Sequence, residues 1–195
     1  AVLDEHGQTT FVGREEDDAQ ATVLAVIGRS VVLDTTPFYA ESGGQIGDTG
    51  RIAWQGGSVE VADTTYALPG LVRHVVADDS IEVLAQLVPG TTVTASIDAA
   101  RRDDIRRHHT GTHVLHWALR EVLGTHVKQQ GSWVGPDRLR FDFSHFEAMT
   151  PAQVAAVEDL ANREILTDAA VSHEEMSKDA ALEAAPAVPC AFVIP

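Results

Sequence analysis

Cysteine is almost absent: Cys190 stands alone among 195 residues, which excludes an internal disulfide framework and any multi-cysteine metal site supplied by this chain alone. Metal binding therefore falls to histidine. Long apolar runs are missing as well, since none approaches the roughly 18 residues that a membrane helix needs. The opening Ala1-Val2-Leu3-Asp4-Glu5-His6 has neither the basic nor the apolar region of a signal peptide. These absences predict a cytoplasmic location and no membrane partner. Basic residues are scarce too, 14 Lys and Arg against 29 Asp and Glu, for a net charge of −15. That balance excludes a general polyanion binder, because nucleic acids are held largely through Lys and Arg that displace counterions. What is present is 44% hydrophobic content, enough core for one large domain or two small ones packed together.

The charge is unevenly spread. Residues 99 to 145 carry Arg101, Arg102, Arg106, Arg107, Arg120, Lys128, Arg138 and Arg140 against five acids, a local balance of +3, and the remainder sums to −18. This allows a local phosphate contact, with Arg106 and Arg107 as candidates, although arginines on a solvated helix face read the same way.

From Ala21 to about Ile97 the pattern is short β-branched runs between turn residues. Ala21 to Ile27, then Gly28-Arg29-Ser30, then Val31-Val32-Leu33 predicts strand, turn, strand. Similar runs recur at Arg51 to Trp54, Ser58 to Tyr66, Leu71 to Val76 and Thr91 to Ile97, punctuated by Gly56-Gly57, Leu68-Pro69-Gly70 and Pro89-Gly90. Many short strands at close spacing predict a small barrel or sandwich. After Asp98, a candidate N-cap, Ile105, Val114, Leu115, Ala118, Leu119, Val122 and Leu123 recur at helical spacing up to Gly124, a natural stop. His126 to Val134 and Arg138 to Phe143 flank Gly135-Pro136-Asp137 and read as a hairpin. Thr150-Pro151-Ala152-Gln153 reads as a capping box opening a helix to about Leu166, with Val154, Val157, Ala161 and Ile165 on the side that covers a sheet. The expected fold is α+β: a small barrel or sandwich over residues 1–97, then an α+β core over 98–195 in which a histidine-bearing helix packs on an antiparallel sheet.

In His108-His109-Thr110-Gly111-Thr112-His113-Val114-Leu115-His116, His109 and His113 lie four residues apart, so their imidazoles share one helix face about 6 Å apart at Cβ. Two neutral imidazoles so placed can grip one zinc ion. The protease form of this spacing has a glutamate after the first histidine as general base; here that position is Thr110. Surface or satisfied core histidines would show the same spacing.

The run from His109 to His116, continued through Ala118-Leu119-Arg120-Glu121-Val122-Leu123-Gly124, His126-Val127-Lys128-Gln129-Gln130-Gly131-Ser132 and Leu139-Arg140-Phe141-Asp142-Phe143-Ser144-His145, resembles the editing domain of alanyl-tRNA synthetases. Leu33 to Gly50, with Tyr39-Ala40-Glu41-Ser42-Gly43-Gly44-Gln45 at its centre, resembles the same family's glycine-rich segment. The resemblance covers roughly residues 5 to 170 and implies a β-barrel subdomain over residues 1–97 paired with an α+β editing core over 98–195. It implies a fragment of a larger synthetase whose ligase domain, the ATP-using part, precedes Ala1; the Glu5-His6-Gly7 to Gly13 stretch looks like the link arriving from it. It also implies a zinc ion held by His109 and His113, with a cysteine and a histidine from a later Cys-Gly-Gly-Thr-His segment. That segment is absent here, since Ala191-Phe192-Val193-Ile194-Pro195 follows Cys190, and the sequence departs from the family pattern from about Val171.

The implied reaction is attack of water on the ester of seryl- or glycyl-tRNA(Ala), with the tRNA acceptor end and the remaining domains of the parent synthetase as partners. A pocket built for a methyl side chain rejects an added hydroxyl only weakly, on the order of a hundredfold, so a second site that bonds the hydroxyl is needed. Thr112 and Gln129 are the pocket candidates, Gln129 by its match to a family pocket glutamine. His116 is a candidate base or a group that orients a ligand. Gly43 and Gly44 either form tight turns or let backbone approach substrate, with Thr36 or Gln45 offering polar contacts. A free-standing editing protein, a tRNA-binding module without catalysis and a small-molecule metallohydrolase are the competing readings.

Overall fold

A computed structural model describes residues 7–170 together with Ser177 and Ala180. Cys190, Glu5, His6 and nearly all of the segment from Val171 lie outside the described residues. The strands are β1 (Thr10–Phe11), β2 (Asp18–Ile27), β3 (Ser30–Leu33), β4 (Thr35–Thr36), β5 (Gly50–Trp54), β6 (Gly57–Leu68), β7 (Leu71–Val76), β8 (Thr92–Ile97), β9 (Gln129–Val134) and β10 (Leu139–Phe143). The helices are α1 (Ile81–Leu84), α2 (Ala99–Leu123) and α3 (Pro151–Ile165). Two compact units result, Ala1–Ile105 with Gly135–Asp137, and Arg106–Val134 with Arg138–Pro195, so the division falls inside α2.

The fold is α+β. In the first unit β2-β3-β7-β6-β5-β8 form a closed antiparallel barrel. Alternate residues point inward because successive side chains on a strand face opposite sides. Ala21 and Val23, Ile52, Val59 and Val61, and Val93, Ala95 and Ile97 meet Val31, Leu33, Val76 and Phe38 in one core. A barrel this small is filled by its own side chains. Closure removes the open strand edges that would template aggregation. The two-residue parallel pair β1–β4 is too short to show periodicity, and it ties the incoming chain to the barrel.

Helix α2 starts on an Asp98 cap, whose Oδ1 accepts the Arg101 N–H at 3.0 Å, and stops before Gly124. The β9–β10 hairpin pairs Leu139 with Val134 through Phe143 with Gln129. The sequence places its first strand from His126, whereas His126 to Lys128 are outside the ladder. Thr150 and Gln153 form the capping box of α3 reciprocally, with Pro151 behind it. The buried stripe of α3 is rotated from the one expected: Val157 is buried and Leu160 and Ala161 pack beside it, while Val154 and Ile165 are 49% and 56% exposed. At about 100° per residue, Val154 and Ile165 fall on the edge of the stripe centred on Val157.

Candidate functional site

The two segments singled out by sequence belong to different units. In the barrel unit, Ser42-Gly43-Gly44-Gln45 is a tight turn in which Ser42 and Gln45 exchange backbone hydrogen bonds of 3.1 and 2.9 Å. Gly43 and Gly44 have φ of 59° and 85°, the paired positive values that a two-residue hairpin turn demands and that glycine adopts without strain. The turn reading of these glycines therefore describes their backbone, and Gln45 is buried behind it.

Thr36 is 0% exposed, and its hydroxyl is hydrogen-bonded within the barrel unit. The His74 Nδ1 lies 3.0 Å from the Val31 carbonyl, which can only accept, so Nδ1 carries the proton. Nε2 then accepts the Thr36 hydroxyl at 2.7 Å, and the same oxygen accepts the Phe38 N–H at 3.1 Å. Burial pushes the His74 imidazole down to about 4, against the opposing pull of the Val31 bond.

Arg102, one of the arginines open to a solvated-face reading, is instead buried and paired with the carboxylate of buried Asp48. Its guanidinium also donates to the Gly13 carbonyl at 2.6 Å and the Pro37 carbonyl at 3.0 Å. Asp48 in turn accepts the Tyr39 N–H at 2.7 Å. One planar fork thus fixes three loops of the barrel unit, a geometry that lysine could not reproduce. The sequence signal was hidden because Asp48 and Arg102 lie on opposite sides of four strands.

In the second unit the helical spacing of the histidines is realised. The His109 and His113 rings stack with centroids 5.0 Å apart at 28°. Burial pushes His113 down to about 4, with the His109 and His116 rings acting in the same direction. Burial also lowers His109 and His116, and the latter is opposed by a hydrogen bond to the Val127 backbone and helped by Arg120. All three imidazoles are therefore neutral at pH 7, the state in which histidine donates to a metal.

The helix is close to the hairpin here: a Cβ on Gly111 would lie 3.5 Å from Leu139 Cδ2, and the His116 ring lies 5.0 Å from that of Phe141. Thr112 is buried and donates its hydroxyl to the His108 carbonyl at 2.8 Å. Gln129 is exposed at the start of β9 and donates to Ser132 Oγ at 3.1 Å. Arg106 and Arg107 are exposed on α2.

Two neutral, stacked imidazoles fit half of a zinc ligand set. Among the described residues, no group of three or more His, Cys, Asp or Glu side chains is arranged to hold a metal. A pair that the motif reading passed over flanks the open end of the hairpin: His126 Nε2 is 2.9 Å from His145 Nδ1, and His126 stacks on Phe146 at 4.5 Å. Both histidines stand within the quoted motif, but only the fold brings them together.

The chain belongs to the family described as tRNA synthetases class II (A), whose model matches residues 4–101. Its relatives include alanine–tRNA ligases. It is 47% identical over 192 residues to that of Acetivibrio thermocellus, covering 92% of this chain and 21% of that protein. The Chloroflexus aurantiacus ligase is 50% identical over 179 residues, covering 84% and 19%. That of Oleidesulfovibrio alaskensis is 43% identical over 197 residues, covering 94% and 22%. The chain spans about a fifth of the length of these curated relatives. Among the described residues, no helix is long and apolar enough to cross a membrane.

Proposed function

We propose that this chain is the editing part of a cytoplasmic alanine–tRNA ligase and that it hydrolyses the ester of seryl- or glycyl-tRNA(Ala). The observation that carries the reading is the row of neutral imidazoles on α2, His109 stacked on His113 with His116 one turn on, beside a hairpin that presents Gln129. His109 and His113 would hold zinc; when bound, the metal supplies Lewis acidity and orientation at the ester.

The residues of the chain do the rest. Water adds to the ester carbonyl, the bond to the terminal ribose oxygen breaks, and that oxygen takes a proton, releasing the free amino acid and intact tRNA. An imidazole that is neutral at pH 7 can accept the water proton and return it to the leaving oxygen, the role we assign to His116. Its bond to the Val127 backbone holds the ring in one orientation. Gln129 offers a carboxamide to the serine hydroxyl; Thr112 shapes the helix side of the pocket; Arg106 and Arg107 face the phosphates. Alanine leaves such polar groups unpaired, which selects serine against it; glycine, with no hydroxyl, is not selected by this contact.

One observation favours a second reading, a tRNA-binding module without catalysis: the described residues supply only two of the usual metal ligands. Deacylation of seryl-tRNA(Ala), with alanyl-tRNA(Ala) as control and zinc supplied, separates the two. Selective release of serine is expected, with His109→Ala and His113→Ala removing both bound zinc and release. Binding of tRNA with no release of serine would overturn the hydrolase and leave the module.

A further inference from the structure

Phe146 is 86% exposed, the highest value among the exposed large hydrophobic side chains described. Single exposed apolar residues are ordinary. This ring differs in being held. One face lies on the His126 imidazole, centroids 4.5 Å apart and planes within 24°. His126 is itself oriented by its 2.9 Å nitrogen-to-nitrogen bond to His145, whose ring lies 6.0 Å from Phe146. One nitrogen must donate and the other accept, so the bond fixes both rings.

The strand ends are locked at the same place. The Lys128 N–H donates to Ser144 Oγ at 3.3 Å and the Ser144 N–H donates to the Lys128 carbonyl at 3.0 Å. Lys128 is exposed, and the stretch it belongs to is the basic part of an otherwise acidic chain. Glu147, also exposed, follows Phe146, so binding here rests on stacking more than on charge.

We infer that Phe146, braced by His126 and His145, is a stacking platform for one unpaired base of a single-stranded RNA end, with Lys128 beside it for a phosphate. This rests on the editing reading for its choice of RNA. A flat aromatic ring with one face braced and the other open suits a base, since every base has a π-face and the ordering of the platform is already complete. Lys128 and Glu147 offset one another here, so the flat ring face, not the net charge, carries the choice of a base.

The probe is a single-stranded RNA of sequence ACC followed by 2-aminopurine, whose fluorescence is quenched on stacking. With the full chain, quenching on binding is expected. Phe146→Ala should weaken binding about 5- to 150-fold, the range for loss of one base–aromatic stack, and abolish quenching. Phe146→Trp should retain both, and the exposure of the side chain makes either variant safe for folding. Equal binding and quenching by Phe146→Ala, or no quenching by the unaltered chain, would overturn the inference and leave the ring to a protein neighbour. Quenching without serine release defeats the editing reading alone, and serine release without quenching defeats the platform alone.

Discussion

Acidification should unlock the barrel through His74. The imidazole is fully buried, donates to Val31 and accepts from Thr36, and burial holds it near 4 against an ordinary 6.5. Protonation would add a second N–H facing a hydroxyl already committed to donate, inside an apolar core beside Phe38. Between about pH 6.5 and 4 the unfolded chain binds this proton and the folded chain does not, so stability rises with pH in that window. The contribution is complete above about 6.5 and is lost progressively as pH falls toward 4. A depression of that size corresponds to about 3 kcal/mol at about 1.36 kcal/mol per unit. The matching variant is His74→Asn, whose amide nitrogen can still donate to Val31. It should be less stable than the parent at pH 7, with a pH dependence shallower by about 3 kcal/mol over the window. Amide exchange in β3 and β7, read by NMR and corrected for intrinsic rates, reports barrel stability for both. Carboxylates elsewhere titrate equally in the two proteins and cancel. Parallel stability curves for parent and variant would refute the reasoning.

Two further substitutions test what holds the loops of the barrel unit. Asp48→Asn leaves the buried Arg102 guanidinium without its counter-charge and should destabilise the unit by about 3–5 kcal/mol, read as a lower urea midpoint; a midpoint unmoved would mean that the pair contributes nothing. Gly13→Ala would put a Cβ 1.9 Å from the Pro37 carbonyl oxygen, a backbone atom that cannot swing aside. A loss of about 1–3 kcal/mol is expected in the same assay, the usual range for overpacking, and parent-like stability would show that the loop yields freely.

Much of the fold was legible because its elements obey local rules. The barrel strands announce themselves as β-branched runs between glycine and proline turns, and α2 and α3 by their caps, Asp98 and Thr150. The strand pattern alone did not separate a closed barrel from a sandwich, since closure depends on β8 pairing with both β2 and β5 and nothing near β8 in sequence encodes either partner; the barrel came from the family resemblance. The four-residue α1 is too short for a helical period to show. The stripe on α3 was misplaced because four apolar residues at nearly helical spacing outnumber the three that tertiary packing selects, Val157, Leu160 and Ala161.

The two recognisable motifs turn out to differ in kind. In the glycine-rich segment, Thr36 serves His74, Gly43 and Gly44 make a turn, and Asp48 holds Arg102 and Tyr39. Its distinctive residues serve the barrel's own structure. The helix motif presents three neutral imidazoles at one face, two of them stacked on each other and the third against Phe141. Substitution should separate the two. Asp48→Asn should move the urea midpoint of the barrel unit and leave any zinc on α2 in place. His109→Ala should remove zinc with little change in that midpoint, because the partly exposed His109 lies in the second unit. A common loss of zinc and stability in both variants would mean that the glycine-rich segment and the histidines form one cooperative site, and the division of roles argued from their hydrogen bonds would fall.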